Sequence, residues 1–128
     1  IWVIARRDKA VRADLQALLA TARKAADAEE QPHAFEQLIR FHERIGMATE
    51  RALTRQLLET LYNQVRLLEA MRHARAPRTA DELDAQIAAH EALYAAIDAG
   101  NSDLARRRLR EQIAAYSAAT TEALRAST

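Results

Sequence analysis

The sequence predicts an all-α protein that folds as an antiparallel helical bundle. Of its 128 residues 30 are Ala, whereas Val and Ile together number ten. Only two Gly and two Pro are present, although ordinary chains carry about 12% of these two residues. So few turn-forming residues cannot supply the many tight turns of an all-β fold. Apolar residues also recur at helical spacing through most of the chain.

Five segments carry this helical spacing, and about six helices are expected in all. The segments run from about Lys9 to Glu29, from about His33 to Ala48, from about Arg51 to His73, from Thr79 to Gly100, and from Asn101 or Ser102 to near the end of the chain. The connections between them are short, which favours antiparallel neighbours and hence an antiparallel bundle.

The ends of several segments carry residues typical of helix boundaries. Gln31-Pro32 is expected to close the first helix. Thr79 and Glu82 match a capping box at the start of the fourth. Gly100 is expected to end that helix as a C′ glycine, and Asn101 or Ser102 to cap the fifth.

Charge and cysteine content exclude several classes of function. Nineteen Lys and Arg against 18 Asp and Glu leave a net charge of +1, so no global field favours nucleic acid or an anionic membrane. The absence of cysteine excludes thiol catalysis, thiolate metal sites and disulfides. No apolar run approaches the roughly 20 residues of a membrane span. We expect one soluble, cytoplasmic domain over residues 1–128, and the start at Ile1 suggests a further domain upstream.

Polar residues interrupt the apolar stripes of four helices. His42, Gln64, His90 and Gln112 lie at positions predicted to face the core, with Tyr94 one turn after His90. The stripe around Gln64 consists of Leu53, Leu57, Leu61, Leu68 and Met71. A single inward histidine is usually a satisfied core residue. A set of this size needs water, a metal or a polar ligand, because each buried orphan costs about 1 to 3 kcal/mol. We therefore predict a ligand pocket.

Arginines offer two further candidates. Arg66 flanks the inward stripe and could reach a ligand carboxylate, or else form a surface ion pair with Glu69 or pack on Tyr62. The second group consists of Arg106, Arg107, Arg108 and Arg110. We expect these arginines to form a solvated face, with a contact to a subunit, a domain or a phosphate as the alternatives.

Catalytic constellations are weak, so no enzyme activity is expected. No serine has a His and an Asp at a telling spacing, and no glycine-rich phosphate loop is present. Metal binding needs three or four ligands, of which His42 and His90 are the two available. His33 and His73, at a helix start and a helix end, are expected to face solvent.

The chain resembles the FCD domain, the C-terminal effector-binding and dimerisation domain of FadR-subfamily GntR-type bacterial transcription regulators. The resemblance is carried by Phe41-His42, by the segment from Ala89 to Asn101, and by Leu104-Ala105-Arg106. It implies a homodimer that binds a small organic acid or related metabolite in the bundle core. It also implies that DNA is contacted only through a winged-helix domain outside this segment.

The resemblance further implies a divalent metal held by an Asp, a His four residues later, and two later His. These four positions fall on Leu38, His42, His90 and Gln112, so two of the four ligands are kept. We expect no resident cofactor and an effector bound directly, with a weakly held zinc or nickel ion as the alternative. The predicted ligand-binding residues are His42, Gln64, Arg66, His90, Tyr94 and Gln112.

Two other hypotheses stay open. The substitutions at Leu38 and Gln112 suggest a structural dimerisation module whose effector pocket has decayed. A small helical enzyme that acts on a carboxylate substrate is the third, although no catalytic pair supports it.

Overall fold

The computed structural model describes residues 9–48 and 51–126. This part of the chain contains five helices and no strand, which confirms the all-α class, although about six helices were expected. The helices are α1 (Lys9–Asp27), α2 (Gln31–Met47), α3 (Ala52–Arg75), α4 (Ala80–Asp98) and α5 (Ser102–Ala126).

Most of the predicted helix ends are confirmed. The Thr79 hydroxyl accepts a hydrogen bond from the Glu82 amide at 3.1 Å, and Gly100 has a φ of 72°, which suits a residue without a Cβ. Asn101 caps α5 by accepting from the Leu104 amide at 3.1 Å. The prediction for Gln31-Pro32 is wrong, because both residues lie in the first turn of α2. There the missing amide proton of proline costs nothing.

The core lies between α1, α2 and α4, with α5 packed along α4. Its largest fully buried side chains are Phe41, Leu15, Leu38, Ile87, Leu93, Ile97 and Val11. Helix α4 carries five buried apolar residues and is contacted by α1, α2 and α5. This packing places the middle of α2 against the middle of α4.

The orientation of helix α3 differs from the predicted one. The leucine stripe that was expected to face the core points outward: Leu53 is 69% and Leu57 63% exposed, and Leu61 and Met71 are exposed as well. The face that α3 turns inward carries Tyr62, and its two fully buried residues are charged, as described below. Periodicity identified an apolar stripe correctly but could not tell which neighbour covers it.

Candidate functional site

The two histidines that sequence spacing singled out are in direct contact. His42 of α2 and His90 of α4 approach through their Nε2 atoms, which are 3.0 Å apart. Their ring centroids are 4.8 Å apart. The buried Phe41 ring makes edge contacts with both imidazoles, and its centroid is 5.6 Å from that of His42 and 5.5 Å from that of His90. Phe41 thus walls off one side of a histidine pair that joins two core helices.

Hydrogen bonding determines where the protons of this pair lie. The Nδ1 atom of His90 is 2.7 Å from the carbonyl oxygen of Gln86, and since a carbonyl only accepts, Nδ1 carries a proton. Two Nε2 atoms that face each other share one proton between them. In the neutral pair, His90 Nε2 is therefore the acceptor and His42 Nε2 the donor, which leaves His42 Nδ1 with a lone pair.

Burial keeps both imidazoles neutral. Desolvation, together with a smaller effect of the neighbouring His90, lowers the pKa of His42 to about 3, against the opposing effect of Gln112. Desolvation also lowers the pKa of His90, against the opposing effect of its bond to the Gln86 carbonyl. The charged form of either ring would lose its hydration without gaining a carboxylate partner.

Gln112 of α5 completes this cluster. Its Nε2 donates to the Ala89 carbonyl at 2.7 Å, immediately before His90. Its buried Oε1 makes no hydrogen bond of normal geometry, although Gln112 lies near enough to His42 to oppose the lowering of that ring's pKa. The Oε1 atom of Gln86, on the same turn of α4, is also buried without a partner. Both deficits are on acceptor atoms, so the cluster has room for hydrogen-bond donors rather than for further acceptors.

Tyr62, which was not among the predicted site residues, also contacts the histidine pair. Its ring stacks on His42, with centroids 6.3 Å apart and planes 17° apart. Burial and the nearby Glu43 raise the pKa of its hydroxyl, so Tyr62 is a neutral donor. The available signal was its spacing of four residues before Arg66 on α3, which placed it near the site without showing which side it faces.

Tyr62 also lines a cavity of about 540 Å³ between α1, α2 and α3. The cavity is bordered by apolar side chains such as Leu18 and Leu58 and by charged ones, among them Arg44 and Arg55. Arg44 pairs with Asp14 at 2.7 Å. A volume of this size suits a small metabolite. Neither His42 nor His90 is among its lining residues, and Tyr62, which stacks on His42, is the lining residue that connects the cavity to the histidine pair.

Three predicted site residues lie outside the histidine cluster. Gln64 is exposed in the outward stripe of α3, so its predicted inward placement is wrong. Arg66 donates through Nε to Glu36 at 2.9 Å and pairs with Glu43, which corrects the expected partner Glu69. Burial and Asp98 raise the pKa of the Tyr94 hydroxyl, and Arg12 of α1 lowers it, which places Tyr94 on the side of α4 that faces α1.

The residues present do not fit the metal site that the resemblance implies. Leu38, at the position of the expected Asp, is 1% exposed in the apolar core and has no ligand atom. The described residues contain no cluster of three His, Cys, Asp or Glu side chains able to hold a metal ion. His42 and His90 bond to each other, and two imidazoles alone fall short of a stable site. The exposed His33 and His73 lie at the helix ends, as predicted.

A second buried cluster, which sequence analysis missed, lies where α3, α5 and the segment before α4 meet. Glu69 accepts two hydrogen bonds from Arg78 and one from the Tyr116 hydroxyl at 2.6 Å. The Arg78 guanidinium lies 4.2 Å from the centroid of the Phe35 ring. Burial and Glu69 raise the pKa of Tyr116. Nearby Arg72 is 5% exposed, and its one ion pair with a described residue is with Glu82, at 3.4 Å.

Other surfaces agree with expectation. The four arginines near the start of α5 are all exposed, and Arg108 forms an ion pair with Glu111 at 3.5 Å. Among the helices described, none combines the length and the apolar character needed to cross a membrane.

Comparison with known proteins gives one match. The chain matches the FCD domain family over residues 2–115. No curated protein and no solved structure matches it. The matched range includes the histidine pair, Gln112 and nearly all of the helical core. The chain belongs to the FCD domain family.

Proposed function

We propose that this chain is the effector-binding and dimerisation domain of a FadR-subfamily, GntR-type transcription regulator. FCD domains serve effector binding and dimerisation in GntR-type regulators, which are generally not enzymes. The observation that carries the proposal for this chain is the neutral cluster of His42, His90 and Gln112 beside a 540 Å³ cavity. Buried acceptors without partners are costly, and a ligand pocket explains why they are kept.

The mechanism we propose is a ligand-dependent shift between two domain arrangements. The cavity is formed by α1, α2 and α3, and the histidine pair links α2 to α4. A ligand that bridges the cavity and the pair contacts both halves of the bundle. It shifts the equilibrium only through a difference in affinity for the two arrangements. A winged-helix domain elsewhere in the regulator would convert that difference into altered DNA binding.

Arg55 supports a carboxylate as the charged part of the effector. It is partly buried and lines the cavity, and no carboxylate of the described residues forms an ion pair with it. By contrast, Arg66, the cation favoured by sequence analysis, is neutralised by two glutamates. A guanidinium at the wall of a cavity is a good partner for a carboxylate.

A screen for ligand-induced stabilisation tests effector binding. A ligand that binds only the folded protein raises its stability by RT ln(1 + [L]/Kd). We expect a small organic acid to raise the melting temperature, and Arg55→Gln to abolish the shift. Arg51→Gln, at an exposed position just before α3, is the matched control. A protein that no organic ligand stabilises would instead support a purely structural dimerisation module, and turnover of a stabilising ligand would support an enzyme.

For the homodimer, we propose that the outward stripe of α3 contacts a second copy of this chain. Its most exposed apolar residues are Leu53, Leu57 and Leu67, with Leu67 66% exposed. Leu53, Leu57, Gln64, Leu67 and Met71 follow spacings of three, four and seven, the pattern by which one helix pairs with a copy of itself. Monomers rarely leave so many large apolar side chains of one helix open to solvent.

Sedimentation velocity tests the dimer. We expect the wild-type protein to sediment as a dimer at micromolar concentration and Leu57→Glu to sediment as a monomer. Ala20→Glu, which places the same charge at an exposed position on α1, is expected to remain a dimer. A monomeric wild-type protein, or dimers in both variants, would contradict this interface.

A further inference from the structure

We propose that the group which an effector presents to His42 and His90 is an uncharged hydrogen-bond donor, such as a hydroxyl or amide, and neither a carboxylate nor a metal ion. This inference rests on the proposed effector-binding function and specifies the chemistry of its inner end. It differs from the metal-bound acid that the family resemblance implies.

The proton arrangement of the pair gives the first reason. The Gln86 carbonyl fixes a proton on His90 Nδ1, and the short approach of the two Nε2 atoms leaves His42 as the donor between them. The chain of hydrogen bonds therefore runs from His42 to His90 to Gln86 and uses up every imidazole proton. What remains at its outer end, on the side of His42, is the lone pair of Nδ1.

The unmatched atoms give the second reason. The buried polar atoms without a partner on the side chains that flank the pair are Gln112 Oε1 and Gln86 Oε1. Both are acceptors, and a ligand hydroxyl or amide could donate to them. A carboxylate would bring more acceptors to a place that already has too many, and its charge would be buried without a partner.

Charges around the pair give the third reason. Arg66, the nearest predicted cation, is held by Glu36 and Glu43, so it does not compensate an anion at the histidines. Glu43 also acts on the hydroxyl of Tyr62, the ring that stacks on His42. Because Glu43 is itself paired with Arg66, this side offers an anion no net positive charge. The cation Arg55 lies two turns before Tyr62 on α3. A carboxylate at one end of a ligand can therefore contact Arg55 while an uncharged group at the other end contacts the histidines.

Nitrogen-15 NMR of the imidazole rings tests the proposal directly. At pH 7 we expect His42 to carry its proton on Nε2 and His90 on Nδ1, both neutral, with the exposed His33 and His73 as internal references. The probes are benzamide and benzoate, which have nearly the same shape, and zinc chloride. We expect benzamide to shift the His42 Nδ1 signal, and benzoate and zinc to leave both buried rings unchanged.

A variant connects the shift to the acceptors. Gln112→Leu removes one of them and is expected to weaken benzamide binding at His42 several-fold. Gln16→Leu, an exposed position on α1, makes the same change without effect. Reversed tautomers, a protonated ring, or a larger response to benzoate or zinc would overturn the donor assignment while leaving an effector site in place. No response to any probe at tens of millimolar would overturn both this assignment and the proposed pocket.

Discussion

The two buried polar clusters of this bundle solve the same physical problem in opposite ways. The Glu69 cluster is ionic: a carboxylate that is 7% exposed is surrounded by Arg78 and Tyr116. The His42 cluster has two groups that could be charged, and both stay neutral because burial lowers their pKa. Buried charge is stable only with its partner in place, whereas neutral donors and acceptors can exchange partners at small cost. The neutral cluster is therefore the better place for a ligand to bind and leave.

The largest expected effect breaks the ionic cluster. Glu69→Ala leaves Arg78 buried without its carboxylate, and we expect the free energy of unfolding to fall by about 3 to 5 kcal/mol. Glu59→Ala, on the exposed face of the same helix, should change it by less than about 0.5 kcal/mol. Urea denaturation of both variants measures the difference. A loss at Glu69 as small as that at Glu59 would show that the ion pair does not hold this end of the bundle.

Acid acts on the neutral cluster. The pKa of His42 is about 3 in the folded protein and about 6.5 in the unfolded chain. Between these two values the unfolded chain binds a proton at His42 and the folded protein does not. This contribution to stability is complete above pH 6.5 and is lost as the pH falls toward 3. We expect His42 alone to remove about 2 kcal/mol between pH 7 and pH 5.

Denaturation of the wild-type protein and of His42→Gln at pH 7 and pH 5 isolates the contribution of His42 to the pH dependence of stability. The variant should lose less stability on acidification than the wild-type protein. His33→Gln, at an exposed position, should behave like the wild type. Equal pH dependence in all three proteins would mean that His42 is already protonated or already hydrated in the folded state.

Removing one member of the pair tests how far the neutral cluster can exchange partners. His90→Leu takes away the acceptor of the His42 Nε2 proton, and we expect a loss of about 1 to 2 kcal/mol, the cost of one buried unpaired donor. Adding His42→Leu removes that orphan as well. The double variant should therefore recover part of the loss in thermal unfolding, and a double variant that is less stable than the single one would identify the pair as a structural centre.

The smallest expected effect is that of Gln112→Leu, and Tyr116→Phe, one turn later on α5, is the variant with which we compare it. Tyr116→Phe removes a hydrogen bond to the charged Glu69, worth about 1.5 to 3 kcal/mol. Gln112→Leu removes a bond to a neutral carbonyl but also removes an unpaired oxygen, so its net cost should stay below about 1 kcal/mol. Denaturant midpoints that reverse this order would remove the contrast between the two clusters.

The sequence predicts the part of the molecule that depends on local signals. Helix positions, the Thr79 and Asn101 caps and Gly100 follow from short-range hydrogen bonding and backbone freedom, and the structure confirms them. The inward placement of His42 and His90 could be predicted because both residues interrupt well-defined apolar stripes. Gln64 interrupts an equally regular apolar stripe, but that stripe faces outward. An amphipathic pattern shows which face of a helix is apolar without showing whether the core or another chain covers it. Glu69 and Arg78 are nine residues apart across a loop, and no periodic pattern connects them.

The measurement that tests the central claim most directly is a thermal-shift screen of small organic acids and their amides on the wild-type protein and on His42→Leu. We predict at least one compound that raises the melting temperature of the wild type and loses most of its effect in the variant. A shift of equal size in both proteins, or no stabilising compound at all, would contradict an effector site at the histidine pair.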